Sequence, residues 1–128
     1  EPVRRLIQYV DTSAFVAAVG GDATVRGALA AQRSVSSALL QVEAARALSG
    51  AAPEVRARAE ELVATIDLID IDRGIVAKAA QLAPEVRLRS LDAIHLATAL
   101  AVPEPVAMLT LDQRLLAASL LVGVRPAL

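Results

Sequence analysis

Cysteine and tryptophan are absent from this 128-residue chain, and tyrosine, phenylalanine, methionine and histidine occur once each. Without cysteine there is no disulfide framework and no thiolate metal site, which fits a reducing interior. With Tyr9 and Phe15 as the only aromatics, a base-stacking platform of the single-strand-binding kind is not expected. Long apolar runs are missing too. Pro, Gly or charge interrupts each one, and the start does not resemble a signal peptide, so the expectation is a soluble cytoplasmic protein with no membrane association. A basic excess is also lacking. The net charge of −1 argues against holding nucleic acid by bulk electrostatics and leaves only local patches. Lys78 is the only lysine beside twelve arginines, so such patches would use the planar fork that suits phosphate and carboxylate.

What is present fits one domain over residues 1–128, large enough to bury roughly 65 to 70% of the surface an unfolded chain exposes. LIQYV at 6–10 reads as a short buried strand that runs straight into a helix at DTSAF, with Asp11 as a cap. Asp22 caps a second helical segment reaching about Gln32. SVSS at 34–37 is a weak strand because it is so polar. Leu39, Val42, Ala45 and Leu48 recur at helical spacing, and a further helix opens at Pro53. IDLIDI at 66–71 reads as a strand, and RGIVAKAAQLA at 73–83 as a helix stopped by Pro84. Ser90 is the expected N-cap of the helix that ends before Pro103. VAMLTL at 106–111, a short helix in QRLLAASLL and an edge strand in VGVRPAL complete the chain. Strands alternating with helices predict an α/β fold, layered α/β/α, around a mainly parallel sheet of four to five strands.

In such sheets ligands bind outside the carboxyl ends of the strands. Asp11 and Asp112 directly follow two predicted strands, Glu43 lies one turn into the helix after SVSS, and Asp92 lies in the first turn of its helix. Four carboxylates can therefore converge on one sheet edge. Their mutual repulsion raises pKa values and costs stability unless a cation is present, and Mg²⁺ or Mn²⁺ suits an all-oxygen site. Mg²⁺ takes one or two direct carboxylates and keeps several waters. The remaining acids can then orient water or hold a second ion for in-line attack at phosphorus, which is nuclease chemistry.

Each acid also has a structural explanation. Asp11 and Asp112 can cap helices, and Glu43 can pair with Arg46. Asp92 is the hardest to place, because its helix, RSLDAIHLATAL, is otherwise nearly all apolar, and without a cation its carboxyl is expected to be partly protonated. His95, one turn later, has chelating spacing. A lone histidine on an apolar helix is more often a hydrogen-bonded core residue, and that reading is preferred. Asp67, Asp70 and Asp72 alternate with apolar residues and are read as solvated or capping.

Together, YVDTSAFVA at 9–17, SSALLQVEAARAL at 36–48, RSLDAIHLATAL at 89–100 and LTLDQRLLAAS at 109–119 resemble the PIN-domain ribonucleases, in particular VapC-type toxins of bacterial toxin-antitoxin pairs. The resemblance covers essentially the whole chain, and DAIHLATA is its most specific piece. It implies a Mg²⁺- or Mn²⁺-dependent endoribonuclease whose catalytic and metal-binding acids are Asp11, Glu43, Asp92 and Asp112, with Asp112 at the family's least constant position. Ser13 stands where the family has a small hydroxyl residue that orients the acids or a metal-bound water. The resemblance also implies an RNA substrate such as tRNA or rRNA, a VapB-type antitoxin that wraps the toxin, and a homodimer. Water attacking in line opposite the 3′ oxygen would leave 5′-phosphate and 3′-hydroxyl ends. Arg46, Arg89 and Arg114, near the acids in sequence, are the RNA-contact candidates, with pairing to those same acids as the competing explanation.

Other classes fit less well. A phospho-acceptor receiver needs a lysine near its last strand, and Lys78 is in a middle helix. A haloacid-dehalogenase-type phosphatase needs a second Asp where Ser13 stands. The remaining rival is a non-catalytic PIN-like module that binds RNA or protein, which has no use for four costly carboxylates.

Overall fold

The computed structural model describes residues 6–128. Among them β1 (Ile7–Val10) leads through Asp11 into α1 (Thr12–Val19). Asp11 caps that helix by accepting the Ala14 N–H at 3.0 Å. Gly20 and Gly21 then turn the chain into α2 (Ala23–Ala31). Gly21 has φ of +100°, a conformation a β-carbon would strain. Asp22 caps α2 through the Val25 N–H.

β2 (Arg33–Ser37) is buried at all but its first residue, although SVSS is too polar to announce a buried strand. Its hydroxyls find partners inside the fold. Ser34 accepts from Gln8 Nε2, Ser36 donates to the Val10 carbonyl, and Ser37 accepts from the Leu39 N–H, so the serines are buried without a net loss of hydrogen bonds. α3 (Leu39–Ala47) and α4 (Pro53–Val63) follow, the latter opening on proline at its first position.

β3 is shorter than IDLIDI implies, with three residues, Asp67–Ile69, at one sheet edge. α5 (Arg73–Ala80), capped by Asp72, ends before the expected Ala83 and thus short of Pro84. Ser90 opens α6 (Ser90–Ala101) as its first helical residue. The N-cap position falls to Arg89, which makes no side-chain cap bond. β4 (Val106–Leu109), α7 (Gln113–Leu121) and the edge strand β5 (Arg125–Pro126) complete the order.

The five strands are all parallel, in the order β3-β2-β1-β4-β5. Side chains alternate across β1. Ile7 and Tyr9 pack with Leu96, Ala99, Met108 and Leu115 on the α6 and α7 face, while Val10 packs with Phe15, Leu40 and Leu109 on the α1 and α3 face. The result is the α/β/α sandwich. No single helix among the described residues is long and apolar enough to cross a membrane.

Candidate active site

β1 lies at the centre of the sheet, and the strand order reverses beside it, between β1 and β4. Crevices form at such switch points, beyond the carboxyl ends of the strands. Val10 pairs in register with Leu109, and the Asp11 N–H extends the ladder to the Leu109 carbonyl. The residues just past β1 and β4 are therefore neighbours. These are Asp11 on one side and Thr110, Leu111 and Asp112 on the other.

Asp11 is 5% exposed. Ser13 Oγ donates to both of its carboxylate oxygens at 2.8 and 3.0 Å, and Thr110 Oγ1 to Oδ2 at 2.6 Å. Ser13 in turn accepts the Leu111 N–H, and Thr110 accepts the Asp112 N–H. Burial pushes the Asp11 carboxyl above its ordinary value, and the donors from Thr110, Ala14 and Ser13 only partly offset this.

Glu43 reaches the edge from α3, on the other side of β1. Its Oε1 accepts from Thr12 Oγ1 at 2.7 Å and from His95 Nε2 at 2.5 Å. Burial works to raise its carboxyl, but the hydrogen bonds from His95 and Thr12 with the nearby imidazole outweigh it, and the net shift is downward. His95 is 2% exposed and uses both ring nitrogens, with Nδ1 2.6 Å from the Tyr9 hydroxyl. It is thus a hydrogen-bonded core residue with no nitrogen left for a metal.

Asp92 is half-buried in the first turn of α6. Its helix is less uniformly buried than its sequence implies. Leu91 beside it is 48% exposed, and full burial begins at His95. None of the hydrogen bonds among the described residues involves the Asp92 carboxylate. Burial first, then the charges of Asp112, Glu43 and Asp11, raise its carboxyl, with His95 opposing. Asp112 caps α7, its Oδ1 accepting the Arg114 and Leu115 N–H groups, so its capping role is real and leaves Oδ2 without a protein partner.

Asp92 feels the charges of the other three acids, yet among the described residues no three His, Asp or Glu side chains form a group that could hold a cation by themselves. Arg46, Arg89 and Arg114 are exposed. They pair with none of the acids. The ion pair among the described residues is Arg33 with Asp67, and His95 is in hydrogen-bond contact with Glu43.

Thr12, Thr110 and Tyr9 also hold the site, and sequence reading did not single them out. Thr12 and Thr110 stand one or two residues from an acid, a usable signal for a hydroxyl partner. Tyr9 and His95 are 86 positions apart, and nothing in the linear pattern pairs them.

Comparison with known proteins bears on the family and the fold. The PIN domain family model matches residues 8–119. Ribonuclease VapC35 of Mycobacterium tuberculosis is 40% identical over 86 residues, covering 65% of this chain and 63% of that protein. Ribonuclease VapC46 of the same organism is 38% identical over 95 residues, covering 71% and 72%. The chain thus spans a little under two thirds of the VapC35 length. Two solved structures share the fold. A chain from a toxin-antitoxin complex of Klebsiella pneumoniae has TM-score 0.70 at 22% identity, covering 82% of this chain and 86% of that one. PAE2754 from Pyrobaculum aerophilum has TM-score 0.65 at 18% identity, covering 88% and 79%. On the match over residues 8–119 and the similarity to VapC46, the chain belongs to the PIN-domain family and is of the VapC type.

Proposed function

We propose that the chain is a Mg²⁺- or Mn²⁺-dependent endoribonuclease and the toxin of a VapBC-type pair, acting on tRNA or rRNA. The observation that carries this reading is Asp92, a half-buried carboxylate with no donor among the described residues, raised first by burial and then by the charges of Asp112, Glu43 and Asp11. A fold gains nothing by holding such a group unless a positive partner arrives. The donor set fits a hard divalent cation, being all carboxylate oxygen, with Oε2 of Glu43 and Oδ2 of Asp112 unused by the protein. Mg²⁺ takes one or two direct carboxylates and keeps the rest of its shell as water, so such a site does not need three acids closed around the ion.

On this reading Asp11, Glu43 and Asp92 would hold the ion, with Asp112 beside them. When bound, the ion supplies positive charge against the scissile phosphate and lowers the pKa of the attacking water. Ser13 and Thr110 fix both oxygens of Asp11, so the carboxylate cannot swing away. Glu43 is kept ionised and able to accept a proton. Arg46, Arg89 and Arg114, unpaired among the described residues and exposed, contact the RNA backbone, and readout by shape and phosphate matches the lack of aromatics. An antitoxin is the expected protein partner and a homodimer the expected assembly. A groove lined by Phe15, Ala44, Ala45, Leu48, Ala59 and Val63 offers such a partner an apolar surface.

That no three acids or histidines among the described residues form a cation-holding group gives the rival reading, a PIN-like module that binds RNA or protein without cutting it, its one specific support. Purified protein incubated with total tRNA and rRNA decides between them. Cleavage that requires Mg²⁺ or Mn²⁺ and falls by about 100-fold or more in Asp92→Asn, with the circular dichroism unchanged, supports the nuclease. No cleavage of any RNA with either metal leaves the binder.

A further inference from the structure

We infer that His95, anchored by Tyr9, is a positioning residue that locks Glu43 in the one rotamer leaving Oε2 free for the acidic edge. The inference rests on the metal-dependent reading above and assigns work to two residues outside the acidic set. Tyr9 sits fully buried in the central strand β1, and its hydroxyl is 2.6 Å from His95 Nδ1, the two rings meeting edge to face with centroids 5.7 Å apart. On the far side of the ring, Nε2 is 2.5 Å from Glu43 Oε1.

The direction of the chain follows from the groups themselves. A carboxylate only accepts, so Nε2 carries the proton toward Glu43, and in the neutral ring Nδ1 then accepts from the phenol. Both donors to Glu43, His95 and Thr12, converge on Oε1. Oε2 accepts from none of the described residues. A glutamate free of such partners samples many rotamers, and ordering it costs side-chain entropy, a cost this pair of donors offsets before any ligand arrives. His95 also lies one turn beyond Asp92 on α6, while Glu43 belongs to α3 on the opposite face of the sheet. One buried ring therefore ties the helix carrying Asp92 to the carboxylate from the other layer.

The test is Mn²⁺ titrated into the purified full chain, with free ion followed by electron paramagnetic resonance. His95→Leu, which keeps bulk and removes both hydrogen bonds, is expected to weaken Mn²⁺ binding by about 10- to 100-fold, the usual effect of losing a group that orients a ligand. His95→Gln, whose amide N–H can still reach Oε1, regains most of the affinity. In a Glu43→Ala background His95→Leu has no further effect, because the group it orients is gone. Binding in His95→Leu equal to wild type, or a loss that persists undiminished in Glu43→Ala, overturns the inference. Wild-type protein that binds no Mn²⁺ overturns the metal reading and this inference with it. Should His95→Leu fail to fold, Tyr9→Phe removes only the phenol oxygen and is read through the same cycle: weaker binding that vanishes in Glu43→Ala supports the inference, and unchanged binding overturns it.

Discussion

At the scale of single residues, the site divides into carboxylates whose hydrogen bonds are supplied by the fold and one whose are not. Asp11 is deeply buried and well supplied with donors, and Glu43 is held by Thr12 and His95. Asp92 has only like charges near it, apart from the His95 ring. The signs of their pKa shifts differ accordingly. Asp11 and Asp92 are raised above the ordinary 3.8. Between 3.8 and the raised value the native state holds more protons than the unfolded chain, so their contribution to stability falls as pH rises through that window. Glu43 is lowered, so its contribution is present above its ordinary 4.5 and is lost as pH falls through the native value. Neutralising Asp92 alone isolates the first effect. Metal-free Asp92→Asn is expected to melt higher than metal-free wild type at pH 7, with the gap narrowing toward pH 4. Saturating Mg²⁺ is expected to raise the wild-type melting temperature and leave the variant nearly unmoved. A metal-free variant that melts lower than wild type at pH 7 would contradict this account.

At the scale of elements, four aspartates begin helices, and only two of those helices start at the acidic edge. Asp22 and Asp72 cap α2 and α5 as residues of no further consequence. Asp11 and Asp112 cap α1 and α7 while standing at the carboxyl ends of β1 and β4. Asparagine caps nearly as well as aspartate, while alanine costs about 1 kcal/mol. Two substitutions therefore separate capping from chemistry. Asp72→Ala is expected to lose about 1 kcal/mol in urea unfolding and keep full RNA cleavage. Asp112→Asn is expected to unfold at nearly the wild-type urea concentration and lose cleavage. The element types were legible because apolar spacing and capping residues state them locally. The lengths of β3 and α5 were not, since edge position and packing trim both well inside their apolar patterns.

For the whole molecule, the layers set which parts carry stability and which carry charge. Leu96 is fully buried where α6 meets the sheet. Leu96→Ala is expected to cost about 2 to 5 kcal/mol, read from urea unfolding, because the sandwich cannot close around the missing volume. On the proposed function, RNA affinity would be governed differently. With a net charge of −1, binding would rest on a few arginines around an acidic centre. Replacing Arg46, Arg89 or Arg114 by Ala is expected to weaken binding across RNA sequences. The slope of log affinity against log salt is expected to become shallower by about 0.7 to 1 for each phosphate left without its arginine. A slope unchanged in all three variants would place the RNA elsewhere on the surface.

Local pattern by itself determined much of this protein. The apolar strands β1 and β4, each followed by a capping aspartate, state an α/β sheet with carboxylates at its strand ends, because strand and cap are properties of a few neighbouring residues. Only the tertiary structure decided which polar residues serve the fold and which serve the edge. It buried the serines of β2 against Gln8 and the Val10 carbonyl, and it joined Tyr9, His95 and Glu43 across the layers. It also placed Asp92 within reach of the charges of Asp112, Glu43 and Asp11, in a set that does not hold an ion unaided. Those outcomes depend on distances between residues up to about a hundred positions apart. Such distances are set by how helices pack on a twisted sheet, and no local spacing encodes them.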